Sequence, residues 1–167
     1  PIEFDDNIPS ANQLDSLATQ LGQEHKLDPH PSRQPLLLDR LKEQGDLLQD
    51  AHNHFVQMPD VQRAPSYTAE WLLDNFYVIQ QALRQVREDM PEGFYRQLPK
   101  LDTSLLKGYP RVYALARDII KYCECRPDLD QVTRFVHAYQ QTTPLTMGEL
   151  WAMPTMLRLG ILEYLTQ

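Results

Sequence analysis

The chain has 167 residues, 23 of them acidic against 16 basic, and its net charge of −7 argues against a nucleic-acid module, because phosphate binding needs a basic face. Thirteen prolines against six glycines, with few β-branched runs and little strict alternation, point to helices ended by prolines and away from strands joined by tight turns. There is no apolar run of about eighteen residues and no signal-peptide pattern, and the C-x-C pair Cys123 and Cys125 suits neither a disulfide framework nor the usual zinc spacing, so a reducing compartment is expected.

Residues 1–9 are acidic, contain two prolines and read as an extended arm. Ser10 and Gln13 then form a capping box ahead of the stripe Leu14, Leu17, Ala18 and Leu21, which predicts a first helix. Beyond a proline-interrupted loop over 30–35, Leu37, Leu38, Leu41, Leu48 and Phe55 mark a longer helix, with Gly45 on the same face, where it would let another helix approach closely. Residues 58–65 connect to the broadest stripe of the chain: Leu72, Phe76, Ile79, Leu83 and Val86, widened by Trp71, Val78 and Ala82. A face that wide calls for partners on two sides. Thr68 is placed to cap this helix, and Met90-Pro91-Glu92-Gly93 stops it. Asn75 falls within the stripe, and a buried amide must find partners, so a hydrogen bond to a neighbouring segment is expected.

Residues 94–107 are too broken by Pro99 and Gly108 for long regular structure and read as a surface wrap held by Phe94, Tyr95, Leu98 and Leu101. Pro110 suits the first position of a helix carried on by Val112, Leu115, Ala116, Ile119, Ile120 and Cys123. After Pro127, Asp128 and Gln131 form a second capping box before Leu129, Val132, Phe135, Val136 and Tyr139. Thr146 and Glu149 form a third, with Leu145 and Leu150 at the staple positions, and Pro154 inside that last helix predicts a kink near residues 150–154. The expected fold is all-α: one domain of about five or six helices over residues 10–167, following the arm. A chain of this size buries roughly 70% of the surface it exposes when unfolded.

The residues that invite a functional reading are Glu70, Asp74 and Glu149, which could pair as carboxylates, and Trp71 and Trp151, which could stack on sugar rings. The plainer reading makes the carboxylates helix caps and the tryptophans the tops of packed stripes, which predicts that both indoles are mostly buried and bind no sugar. His52 and His54 lie two apart, on different helix faces, so no metal site is expected there. Arg84, Arg87, Arg96, Lys100, Lys107 and Arg111 form the basic region of the chain, read as a solvated face or as a docking surface for an acidic partner or lipid headgroups. No P-loop, no G-x-G-x-x-G, no nucleophile elbow and no D-x-D stretch of the kind associated with nucleotide-sugar binding is found, and no cofactor is expected.

Four blocks, TAEWLLDNFYVI, FYRQLPKL, GYPRVYALA and QQTTPLTMGELWAMPTMLRL, spread over about residues 10–167, resemble in content and order the N-terminal region of the bacterial cyclic β-1,2-glucan synthases. These are inner-membrane glycosyltransferases that polymerise glucose from UDP-glucose and carry a further domain related to glycoside phosphorylases. The matched blocks precede the transferase domain of that family, and no catalytic residue carries over. The resemblance implies a non-catalytic helical accessory domain on the cytoplasmic face of the bacterial inner membrane, packed against the remainder of its own polypeptide, with no membrane span and no nucleic-acid partner of its own. The alternatives are a carbohydrate-binding module that holds acceptor or nascent glucan through Trp71, Trp151 and the carboxylates near them, and a stand-alone helical protein-interaction domain. An exposed apolar patch rimmed by charge would favour docking, whereas a groove with an accessible aromatic face and converging polar groups would favour sugar.

Overall fold

The computed structural model describes residues 11–31, 36–58, 67–103, 105–124 and 126–166, so the acidic arm, the Ser10 cap and Cys125 lie outside the described residues. Among those described there are seven helices and no strand: α1 Ala11–Glu24, α2 Leu36–Gln57, α3 Tyr67–Asp89, α4 Glu92–Gln97, α5 Arg111–Tyr122, α6 Leu129–Thr142 and α7 Met147–Tyr164. The all-α expectation holds, and the helix beyond the expected count is α4. It forms inside the segment read as irregular, with Pro91 at its N-cap in extended backbone, and it ends at Leu98 before Pro99. As read, Tyr95, Leu98 and Leu101 are buried there.

The centre of the molecule is α5. Eight of its twelve residues are buried, among them Val112, Tyr113, Leu115, Ala116 and Ile119, so it meets protein on nearly all sides. Pro110 occupies its N-cap position, one residue ahead of the place expected. α5 packs on α7, α7 also meets α3, and α2 lies on α3 with a lighter contact to α7. The inner side of α7, with Ala152, Met153, Met156, Leu159 and Leu162, is therefore a wall shared by three helices. The helix runs on through Pro154 to Tyr164, and the proline ring is exposed, so Pro154 does not end it.

α1 packs against α6. Gly22 sets how closely: a methyl group at that position would stand 2.9 Å from Thr142 Cβ and 3.3 Å from the Tyr139 carbonyl oxygen. Thr143 Oγ1 donates to the Gly22 carbonyl at 2.7 Å, and the Arg134 guanidinium grips Asp15 through Nε and Nη2 at 2.6–3.1 Å. The hydrogen bonds from Arg134, helped by its charge, hold the Asp15 carboxyl below its ordinary value.

Three local expectations need correction. α3 begins at Tyr67, so Thr68 lies inside its first turn rather than at its cap. Asn75 Nδ2 donates to the Trp71 carbonyl of its own helix at 2.8 Å, so its amide is satisfied locally and bridges to no neighbouring segment. Gly45 does face α3, but a methyl there would meet Leu83 Cδ1 and Arg87 Nη2 at 3.5 Å, an ordinary contact distance. The position therefore carries the backbone cost of glycine with no tight approach that requires it. Gly45→Ala is expected to stabilise the fold by about 0.5–1 kcal/mol. Thermal unfolding with a lowered midpoint in the variant would contradict this.

Candidate functional site

Both capping boxes read in the second half of the chain are present. Asp128 accepts from the Gln131 amide at 2.6 Å, and Gln131 Oε1 accepts from the Asp128 amide at 3.1 Å. At the start of α7 the Glu149 amide donates to Thr146 Oγ1 at 3.2 Å, while Glu149 Oε2 accepts from the Thr146 amide at 2.8 Å. Glu149 does more than cap. Arg111, at the first turn of α5, donates to it through Nε at 2.8 Å and Nη2 at 2.6 Å, and Nη2 also reaches the Pro144 carbonyl at 3.1 Å. Both side chains are almost wholly withdrawn from water, at 2% and 0% exposure. A bidentate fork of this kind is the strong form of ion pair, and it ties the starts of α5 and α7 together.

The network extends to α6 and α1. The Arg111 guanidinium stands 5.9 Å from the Tyr139 ring centroid, and the Tyr139 hydroxyl lies 3.0 Å from His25 Nδ1. Burial pushes the Tyr139 phenol up to about 12, and burial followed by the charge of Arg111 lowers the His25 imidazole. Glu149, Arg111, Tyr139 and the half-buried His25 form one polar network linking α1, α5, α6 and α7. A second buried carboxylate, Glu163, accepts from the Tyr113 hydroxyl at 2.6 Å and pairs with Arg40 Nε at 2.9 Å and Arg117 Nε at 3.6 Å.

Of the six cations of the basic region, Arg84, Arg87, Arg96 and Lys107 are exposed, as a solvated face would have them, and two are not. Arg111 and Lys100 are buried, Arg96 pairs with Glu92 one turn away, and Lys107 pairs with Asp102 at 2.6 Å. Arg84 and Arg87 are left as the exposed cations of α3. A run of cations in the sequence had no means of showing that two of them point inward.

The tryptophans are not where packing logic put them. Trp71 is 39% exposed and Trp151 73% exposed, against the expectation that both are mostly buried. In α3 the buried stripe is Leu72, Phe76, Ile79, Leu83 and Val86, and Trp71 and Val78 lie outside it because no described helix covers that second side. In α7 the buried side belongs to Ala152, Met153, Met156 and Leu159, and Trp151 points outward beside Met147 and Ile161, which are exposed too. Neither indole caps a packed stripe.

Nor do the five candidate residues converge. Glu70, Trp71 and Asp74 share the exposed start of α3. Its other end meets α7, where Asp89 Oδ2 lies 3.4 Å from Thr155 Oγ1 and 3.5 Å from Arg158 Nη1. Eighteen residues separate Trp71 from Asp89, about 27 Å along a helix. Trp151 sits one turn before Thr155, near the Asp89 end, and Glu149 is committed to Arg111. Among the described residues no group of three or more His, Cys, Asp or Glu side chains could hold a metal ion.

What α7 does present is an uncovered apolar side. Its polar residues Glu149, Thr155 and Glu163 are buried, so polar and apolar side chains are not sorted onto opposite sides, and Met147, Trp151, Ile161 and Tyr164 face outward with Arg158 partly exposed among them. Next to them runs a groove of about 570 Å³ between α6 and α7, floored by Val132, Val136, Leu150, Met153 and Leu157 and edged by Asp128 and His137. No described helix is long and apolar enough to cross a membrane. The sequence reading missed this surface; the signal for it was the absence of any polar face in α7.

The chain matches no protein-family model. Over 108 residues, 64% of its length, it is 41% identical to the cyclic β-(1,2)-glucan synthase NdvB of Rhizobium meliloti (strain 1021), and it spans only 4% of that protein. The resemblance read from the four sequence blocks is borne out, as a likeness to one small part of such a synthase.

Proposed function

From this likeness to a fragment of a cyclic β-1,2-glucan synthase, we propose that the chain is a non-catalytic helical accessory domain of such a glycosyltransferase, docked on the remainder of its own polypeptide through the outer side of α7. The observation that carries this reading is the exposure of Met147, Trp151, Ile161 and Tyr164 on one helix, beside the largely apolar groove of α6 and α7 with Asp128, Thr133, His137 and Gln140 among its lining. Exposed apolar area gathered on one side marks a docking surface, and the relative of which this chain spans 4% suggests the partner: more of the same polypeptide. On this reading the domain stands at the cytoplasmic face of the bacterial inner membrane and leaves polymerisation of glucose to the rest of the protein. The carboxylates fit that division. Glu149 is consumed in the core, and Glu70 and Asp74 face solvent far from it.

Hydroxyl-radical footprinting tests the proposal, because exposed methionine and tryptophan side chains oxidise readily. Met147 and Trp151 should be labelled rapidly in this chain alone and at least ten-fold more slowly within the full synthase polypeptide. Equal labelling in both would overturn the docking face.

A further inference from the structure

A second concavity lies along α2, built from residues that the docking reading does not use. It is a cleft of about 610 Å³ lined by Asp39, Arg40, Glu43, Gln44, Leu47 and Tyr109, within the size range of about 300–1,000 Å³ typical of small-ligand sites. Gln44 is only 8% exposed, and its side-chain oxygen Oε1 is buried with no hydrogen-bond partner. Native folds rarely leave such an acceptor unpaired, and a donor from outside the chain reaches Oε1 once the Gln44 amide turns outward into the cleft.

The cleft is also held in shape from below. Arg40 is fixed through Nε by the buried Glu163 carboxylate at 2.9 Å, and Glu163 is fixed by the Tyr113 hydroxyl at 2.6 Å. Tyr109 stacks on Tyr113 with ring centroids 5.5 Å apart and an interplanar angle of 26°, and its hydroxyl sits against the Arg40 guanidinium. A cationic donor and an aromatic wall are thus positioned before any ligand binds. Helical spacing brings Asp39, Glu43 and Leu47 onto one line of α2, with Arg40 and Gln44 on the next.

We propose that this cleft binds a neutral saccharide. Its walls offer acceptors in Asp39, Glu43 and Gln44 Oε1, a donor in Arg40, and apolar surface in Tyr109 and Leu47. Sugar hydroxyls, which both give and take hydrogen bonds, and the C–H faces of a pyranose ring use all of these together. An anion would meet two carboxylates, and a simple cation would meet the Arg40 guanidinium. A wholly apolar ligand would strip water from four polar groups and give none of them a partner. The site is independent of the α7 surface, so either assignment stands if the other fails.

A heteronuclear NMR titration of the chain with a β-1,2-linked glucotriose reads the cleft directly. Saturable shifts are expected at the Gln44 side-chain amide and at Leu47 and Tyr109, with affinity at least ten-fold weaker in Gln44→Ala. Glu43→Ala changes an exposed residue and serves as a second variant should Gln44→Ala fail to fold; it should weaken binding as well. Absence of shifts at millimolar saccharide, shifts undiminished in the folded variants, or the same shifts with inorganic phosphate or calcium alone would each overturn the assignment.

Discussion

Glu149→Ala is expected to destabilise the fold by about 3–5 kcal/mol, the cost of breaking a buried ion pair by removing one partner. The substitution leaves the Arg111 guanidinium in the core with no carboxylate and only neutral acceptors, the Pro144 carbonyl and the Tyr139 hydroxyl, and it also removes one half of the capping box at Thr146. Loss of the cap alone would cost about 1 kcal/mol, so the size of the effect separates the two roles. The double variant Arg111→Met with Glu149→Leu is expected to recover most of the loss, because apolar groups of similar volume leave no charge stranded. Urea unfolding with an unchanged slope measures both. A single-variant loss near 1 kcal/mol would show that the pair contributes little beyond the cap.

Lys100→Met should act in the opposite direction. The Lys100 ammonium is buried over the Tyr95 ring, 3.4 Å from its centroid, and donates to the Tyr95 carbonyl at 2.8 Å, and among the described residues no carboxylate pairs with it. Burial pushes its pKa down to about 8 from 10.5. Below pH 8 the lysine is charged whether the chain is folded or not, and the folded state bears the full cost of burying the charge. Between pH 8 and 10.5 the unfolded chain still holds the proton that the folded chain has released, so stability rises with pH across that window. The shift corresponds to a cost of up to about 3 kcal/mol at neutral pH. Lys100→Met is therefore expected to raise stability at pH 7 by as much as this and to remove the rise between pH 8 and 9.5. The buried tyrosines pull the other way only above pH 10, where their unfolded forms ionise first. A destabilised variant, or parallel pH profiles for variant and parent, would contradict the account.

The parts of the fold that were legible in the sequence are those whose physics is local. Asp128 with Gln131 and Thr146 with Glu149 are three residues apart, and both capping boxes form as read. Helix periodicity likewise identified the buried stripe of α3. It could not say whether a second helix would cover Trp71 and Val78, because a period assigns residues to a face and leaves the neighbour of that face unspecified. In α7 even the face was hidden, since its polar residues Glu149, Thr155 and Glu163 are buried among the apolar ones and leave the pattern without a phase. Arg111 and Glu149 are 38 residues apart, and the Glu149 side chain already had a sufficient role as a cap, so nothing in the spacing marked the pair. The α2 wall of the cleft can be seen as a helix line once it is looked for, but Tyr109 comes from beyond α3 and α4, and only the fold brings it there.

The pairing of α1 with α6 bears on how the chain is made. Asp15 and Arg134, which clasp the two helices, are 119 residues apart. During synthesis at about 5–20 residues per second, α1 must wait roughly 6–24 s before its partner has been added. Through that interval Leu14, Ala18 and the open backbone at Gly22 have no docking surface, so the first helix emerges earliest and is secured among the last. A nascent chain stalled ahead of Leu129 should therefore be cut by protease within residues 11–24, and one extended past Thr143 and clear of the ribosome should be protected there.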